Sequence, residues 1–203
     1  MGPLIPVIIL AITAVVGGGV VVYKKLKGKK LGVLGMKLAG KTLFWYHLQD
    51  KKYVEGQDED TINDNIPAFI VETDNKKLKI SGYDIGGGLD FFEELYDKIT
   101  QDSHYNVFIF DMRQYLDDKT YKDKTNSLLE ILSNEKCCFL KKPYAVIGTH
   151  LDKFNDSANK VKEDIITQLN NKSYKKILTE GHFYAIDMRE RKKAMEIFEK
   201  LVK

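Results

Sequence analysis

The sequence predicts an α/β fold built around a largely parallel sheet, and three observations carry that prediction. Short apolar runs recur at Leu31–Leu34, Val107–Phe110, Tyr144–Ile147 and Phe183–Ile186, as strands buried in a sheet should read. Helical patterns fall between them, so strands and helices alternate along the chain. One pair of runs, 66–73 (IPAFIVET) and 77–83 (KLKISGY), flanks Asp74-Asn75-Lys76 and reads as a hairpin, which gives such a sheet a single antiparallel edge.

Taken in order, the chain opens on its most biased stretch. Pro3 to Tyr23 carries no charge, and Lys24, Lys25, Lys27, Lys29 and Lys30 follow directly. As a helix the apolar stretch spans roughly 30 Å, the thickness of a bilayer's hydrocarbon core. A cleaved signal peptide would carry its positive charge before the apolar run, and a myristoylated Met-Gly start would need Ser or Thr at position 6. A helix buried in a protein core would be shorter and less free of polar residues. The expectation is a transmembrane signal-anchor over 1–23, a basic juxtamembrane linker over 24–30, and a folded domain over 31–203. Lysines on the carboxyl side of the span place the domain in the cytoplasm and the N-terminus outside or in a lumen.

Leu31–Leu34 is then a strand ending in glycine, and Thr42–Leu48 suits the start of a helix. Residues 50–65 are acidic and polar, long enough for a functional loop rather than a mere connection. After the hairpin comes Asp84-Ile-Gly-Gly-Gly88, then a helical pattern of Phe91, Phe92, Leu95 and Ile99. Ser127–Leu132 belongs to a helix, Ala158–Leu169 is amphipathic, and Met188–Val202 closes with Ala194, Ile197, Phe198 and Leu201 at helical spacing.

Composition narrows the function classes. At 203 residues the chain holds one ordinary domain and an appendage. The net charge of +3 comes from the lysine cluster near the N-terminus, and the remainder is slightly acidic, which argues against a nucleic-acid partner. Cys137 and Cys138 are adjacent, with no further cysteine to build a disulfide framework or metal site. They read as reduced, partly buried residues; a vicinal disulfide is the alternative.

Three motifs carry chemistry. Gly35-Met-Lys37-Leu38-Ala39-Gly40-Lys41-Thr42 fits the phosphate-loop pattern G-x-x-x-x-G-K-[ST]. Glycines let the backbone turn its N–H groups toward phosphate oxygens, and the helix that follows adds its positive end. Lys41 would reach the β and γ phosphates, and the Thr42 hydroxyl would bind Mg²⁺. Asp84 ends a strand next to that loop and can hold Mg²⁺ through water, while Gly87 offers a bare N–H to the γ-phosphate. Thr149-His150-Leu151-Asp152 follows the strand Tyr144–Ile147, and a carboxylate there can accept from both N1 and N2 of guanine. Adenine has no such donor pair. An ATP-using phosphate-loop protein is the reading that Asp152 speaks against.

These residues together resemble the small GTPases of the Ras superfamily, from Leu31 to Lys203. Phe69-Ile-Val-Glu-Thr73 and Asp84-Ile-Gly-Gly87 are similar to Phe-Asn-Val-Glu-Thr and Asp-Val-Gly-Gly of the Arf-like branch. An N-terminal span directly before the domain is similar to the membrane-anchored beta subunit of the signal recognition particle receptor. The resemblance implies a six-stranded, mostly parallel sheet with five helices, the nucleotide lying at the carboxyl ends of the strands. It implies GTP or GDP with Mg²⁺ as cofactors, and a protein effector or receptor as partner.

The departures bear on activity. Where the family has the glutamine that orients the attacking water, this chain has Gly88. His150 stands where a lysine packs on the base, after Thr149. Gapless alignment puts Ile66 at the switch threonine that joins the metal, and Thr61 takes that place if the loop is longer. Ala185-Ile186-Asp187 stands where the family has its Ser-Ala-Lys turn beside the guanine. No catalytic side chain is therefore assigned. The expectation is a guanine-nucleotide switch at a membrane with slow intrinsic hydrolysis; the alternative is a non-hydrolysing receptor or scaffold with the same fold. His47 and Trp45 read as packing residues, and Asp111 as an outer neighbour of the site at most.

Overall fold

Strands buried on both faces dictate the architecture. In β6 (Tyr105–Asp111) every residue after Tyr105 is buried, and β3 (Lys29–Gly35) and β7 (Tyr144–Thr149) follow the same pattern. Such strands need cover on both sides, which helices from crossover connections provide. The structure is a computed structural model and describes residues 13–16, 19–22, 28–52, 64–74, 76–85, 92–169, 172–179 and 181–203.

Six strands form one sheet in the order β4-β5-β3-β6-β7-β8, with β4 spanning Asp64–Glu72, β5 Lys77–Asp84 and β8 Phe183–Ala185. All neighbours are parallel except β4 and β5, the predicted hairpin. The register of that hairpin shifts between Ile66 and Phe69. Pro67 lies within the shift; proline has no N–H to give to a ladder and is at home at an irregularity on an edge strand. The chain enters the sheet at β3, runs first to the β5 side and then to β6. The order reverses around β3, and ligands of open α/β sheets bind outside the carboxyl ends of the strands at such a point.

The helices are α1 (Lys41–Leu48), α2 (Phe92–Asp102), α3 (Met112–Asp117), α4 (Lys119–Ser133), α5 (Ala158–Gln168) and α6 (Arg191–Leu201). α1 packs with α6, and α2 with α4. Ser127–Leu132 lies in a helix, as expected; that helix begins at Lys119, and a separate helix precedes it. Asp111 and Asp118 explain the division, since each carboxylate accepts from two backbone N–H groups of the turn that follows it. The core faces of this region hold Tyr115, Tyr121 and Thr125, polar residue types that weaken an apolar pattern although all are buried. Cys137 and Cys138 are free thiols, and burial pushes the Cys137 thiol pKa up.

The N-terminal expectation is altered where it can be compared. Thr13–Val16 (β1) and Gly19–Val22 (β2) pair as an antiparallel ribbon, with Val16 opposite Gly19, rather than forming part of a helix. Valine-rich segments on either side of glycines favour a hairpin over a helix. The rest of the predicted anchor, residues 1–12, 17, 18 and 23, lies outside the described residues. Among the described residues no helix is long and apolar enough to cross a membrane.

Candidate functional site

The carboxyl ends of the parallel strands gather the residues that the sequence singles out. Gly35 ends β3 with φ +137°, and a Cβ there would lie 2.0 Å from the Ile109 carbonyl oxygen of β6. Only glycine lets the loop leave the sheet this close to its neighbour. Met36 N–H then donates to the same Ile109 oxygen at 3.0 Å, and Gly35 N–H donates to the Tyr96 hydroxyl of α2 at 3.2 Å. Burial drives the Tyr96 pKa upward, so its hydroxyl stays protonated. Lys37 and Leu38 are exposed at the loop tip, Leu38 with φ +58°, and Ala39 is buried.

Gly40 has φ +93° and no side chain with which to cap α1. By contrast Asp111, Asp118 and Ser157 cap α3, α4 and α5 with their side chains. The first N–H groups of a helix have no partner inside it, and a phosphate oxygen supplies one.

Lys41, Thr42 and Asp84 form the centre. Lys41 Nζ donates to the Met36 carbonyl at 2.6 Å, which folds the side chain back over the loop. The residue is 6% exposed, and burial lowers its pKa from 10.5 to about 8, against the opposing pull of Asp84. Thr42 Oγ1 donates to Asp84 Oδ2 at 3.0 Å, with Asp84 at 2% exposure. A hydroxyl and a carboxylate oxygen at this spacing are hard ligands suited to Mg²⁺, which commonly takes one or two protein oxygens and completes its shell with phosphate and water. The described residues hold no cluster of three or more His, Cys, Asp or Glu that would form an all-protein metal cage. The residues present fit a nucleotide–Mg²⁺ pair.

On the far side of the loop lies the segment after β7. Thr149 is buried, and its hydroxyl donates to the Phe110 carbonyl at 3.2 Å, tying β7 to β6. His150 follows with φ +61°, its Nε2 lying 3.5 Å from Asp111 Oδ2. This left-handed turn leads into a 3-10 turn, Leu151–Lys153, which carries Asp152. The fold thus brings the glycine-rich loop, the Thr42–Asp84 pair and Asp152 to one edge of one sheet.

A family model described as the Ras family matches residues 30–203. The chain belongs to the Ras family. No curated protein matches it. As a Ras-family domain it is a small GTPase in general character, a phosphate-loop protein of a family that binds GTP and GDP with Mg²⁺. The phosphate loop follows β3, and the Thr42–Asp84 pair joins the start of α1 to the end of β5.

Thr61, Gly87 and Gly88 lie outside the described residues. Ile66 is on β4 opposite Gly82 and packs against the core, so its side chain is no metal ligand. Ala185 is in β8, and Ile186 N–H donates to the Gly148 carbonyl at 2.9 Å, so both belong to the sheet's edge. The turn just beyond carries side chains that reach the phosphate loop and Asp152. Met188 packs on Gly40, where a Cβ would lie 3.3 Å from Met188 Cγ. Arg189 bonds Asp187 through both carboxylate oxygens and reaches Asp152 Oδ2 at 2.9 Å. Asp111 is a helix cap for Arg113 and Gln114 before it is a neighbour of His150. His47 donates Nε2–H to the Met188 carbonyl at 2.7 Å, and burial lowers its pKa, so it ties α1 to the same turn.

Sequence reasoning reached Asp187 through the Ala185-Ile186-Asp187 turn but missed Met188 and Arg189, and with them the contact to Asp152. An Asp-x-Arg spacing is visible there, but in Asp-Met-Arg-Glu-Arg-Lys-Lys it looks like any solvated helix start.

Proposed function

We propose that this Ras-family chain is a guanine-nucleotide switch attached to a membrane, with slow hydrolysis of its own. The observation that carries the reading is the cluster of buried Lys41 and Asp84 with half-buried Thr42 under a glycine cradle, with Asp152 along the same sheet edge. Lys41 would place its charge on the phosphates, and Thr42 and Asp84 would hold Mg²⁺. The ion supplies charge neutralisation at the phosphates when bound. Asp152 would accept from the base edge. Asp152→Asn is expected to shift preference from guanine toward xanthine nucleotides, measured by competition binding; unchanged guanine preference would remove Asp152 from the base site.

Slow hydrolysis follows from Gly88, which has no side chain to orient a water. A protein partner would then supply that group in trans. The Asp84-Ile-Gly-Gly87 and Phe69-Ile-Val-Glu-Thr73 segments favour the Arf-like branch, and the charge-free stretch Pro3–Tyr23 before a lysine cluster favours the receptor-beta-like arrangement. Membrane attachment rests on that stretch and on the positive-inside rule, which assigns the domain to the cytoplasmic side. The full chain should float with liposomes, and its GTP turnover should stay slow until cell extract is added. A chain that stays in the soluble fraction, or turns GTP over rapidly alone, would contradict the respective half of the proposal.

A further inference from the structure

Arg189 sits on the carboxylate that would read the base. Its guanidinium spans two acids: Nε lies 3.0 and 3.1 Å from the Asp187 oxygens, and one terminal nitrogen is 2.7 Å from Asp187 Oδ2 and 2.9 Å from Asp152 Oδ2. Lys153 Nζ is 3.3 Å from that same Asp152 oxygen. A carboxylate oxygen offers two lone-pair directions, and two cations already share this one. Guanine presents two parallel donors, N1–H and the 2-amino group, and needs one carboxylate oxygen for each. Full reading of guanine therefore requires that a cation leave Oδ2. Arg189 is held by Asp187 through Nε and that same terminal nitrogen, and the Asp187 pKa is lowered by this hydrogen bonding first of all. The guanidinium is thus anchored beside Asp152 by a second acid in the same turn.

We propose that Arg189 is a specificity-determining competitor of the base: it occupies Asp152 Oδ2, weakens binding of guanine nucleotides and blunts the distinction between guanine and hypoxanthine. This rests on the reading of Asp152 as the base-reading residue. With Arg189 in place, one carboxylate oxygen remains to take N1–H, which guanine and hypoxanthine share, and the 2-amino group goes unread. A partner that drew Arg189 away would tighten nucleotide binding without touching the phosphates.

The test compares dissociation constants for GDP and for inosine diphosphate, which lacks the 2-amino group, on the full chain with Mg²⁺. Arg189→Met keeps the length of the side chain and removes the charge; the side chain is 62% exposed, so the fold should be undisturbed. An exposed ion pair is worth up to about 1 kcal/mol, so Arg189→Met is expected to tighten GDP roughly three- to fivefold. The ratio of GDP to inosine diphosphate affinity should rise by a similar factor. In an Asp152→Asn background the same substitution should leave the ratio unchanged. Loss of positive charge near the phosphates would affect both nucleotides equally, so the ratio isolates the base. An unchanged or smaller ratio in Arg189→Met, with GDP still bound, overturns the competition and leaves the guanine site standing. Failure of both wild type and variant to bind either nucleotide overturns the guanine reading and this inference with it.

Discussion

Lys41→Met is expected to abolish tight GDP binding while making the nucleotide-free protein more stable. The two effects have one cause. Lys41 is a buried cation with a pKa lowered to about 8, so keeping it charged at neutral pH costs the empty protein about 3 kcal/mol relative to a lysine in water. Methionine has nearly the same shape and no charge. It loses the 2.6 Å bond to the Met36 carbonyl, worth about 1–2 kcal/mol, but that oxygen still accepts from Ala39 N–H. The net gain is on the order of 1–2 kcal/mol, a rise in melting temperature of several degrees. Bound phosphate loses its charged hydrogen bonds, and affinity should fall roughly 10²–10³-fold. Calorimetric titration with GDP and a thermal melt without it measure both. A variant that is less stable when empty would show that Lys41 is a structural support rather than a charge held for a ligand.

The pH dependence follows from the same residue. Unfolded, Lys41 keeps its proton to about 10.5; folded and empty, it begins to lose it near 8. Between those values the unfolded chain binds more protons, so this residue's contribution to stability rises with pH. Nucleotide binding needs the protonated form, so affinity should fall through the same window, by up to about tenfold per pH unit above 8.

Gly35→Ala is the substitution expected to damage the fold most. The new Cβ would lie 2.0 Å from the Ile109 oxygen, on backbone with φ +137°, and the obstacle is strand β6 itself rather than a movable side chain. Relief requires β3 to part from β6 where Met36 N–H and Ile109 O now bond at 3.0 Å. Overpacking, strain and a lost hydrogen bond together amount to about 3–5 kcal/mol, or a fall in melting temperature of roughly 10 °C. Denaturant unfolding should show the lower stability with the same slope. A variant melting within about 2 °C of wild type would mean that the loop does not hug β6 as described.

What the sequence disclosed and withheld has physical reasons. Val107–Phe110 and Tyr144–Ile147 are legible because strands buried on both faces must be continuously apolar. The phosphate loop is legible because its glycines, lysine and threonine answer to a ligand of fixed shape. The start of α4 is obscured because Tyr121 and Thr125 turn polar atoms inward, the Tyr121 hydroxyl accepting from Asp111 N–H. Over Pro3–Tyr23 length and lack of charge spoke for a helix, whereas valine and glycine composition speaks for the ribbon at β1 and β2. Arg189 was invisible because its meaning lies in a partner, Asp152, that is remote in sequence and near only after β7 and β8 pair.

The central claim is that this sheet edge binds guanine nucleotides with Mg²⁺. The most direct measurement loads the full chain with a fluorescent GDP analogue and displaces it with unlabelled GDP or ADP. GDP should displace it at concentrations at least about a hundredfold below those needed for ADP, because adenine lacks the N1–H and 2-amino donor pair that Asp152 would accept from. Equal displacement by ADP, or no binding of the analogue, would contradict it.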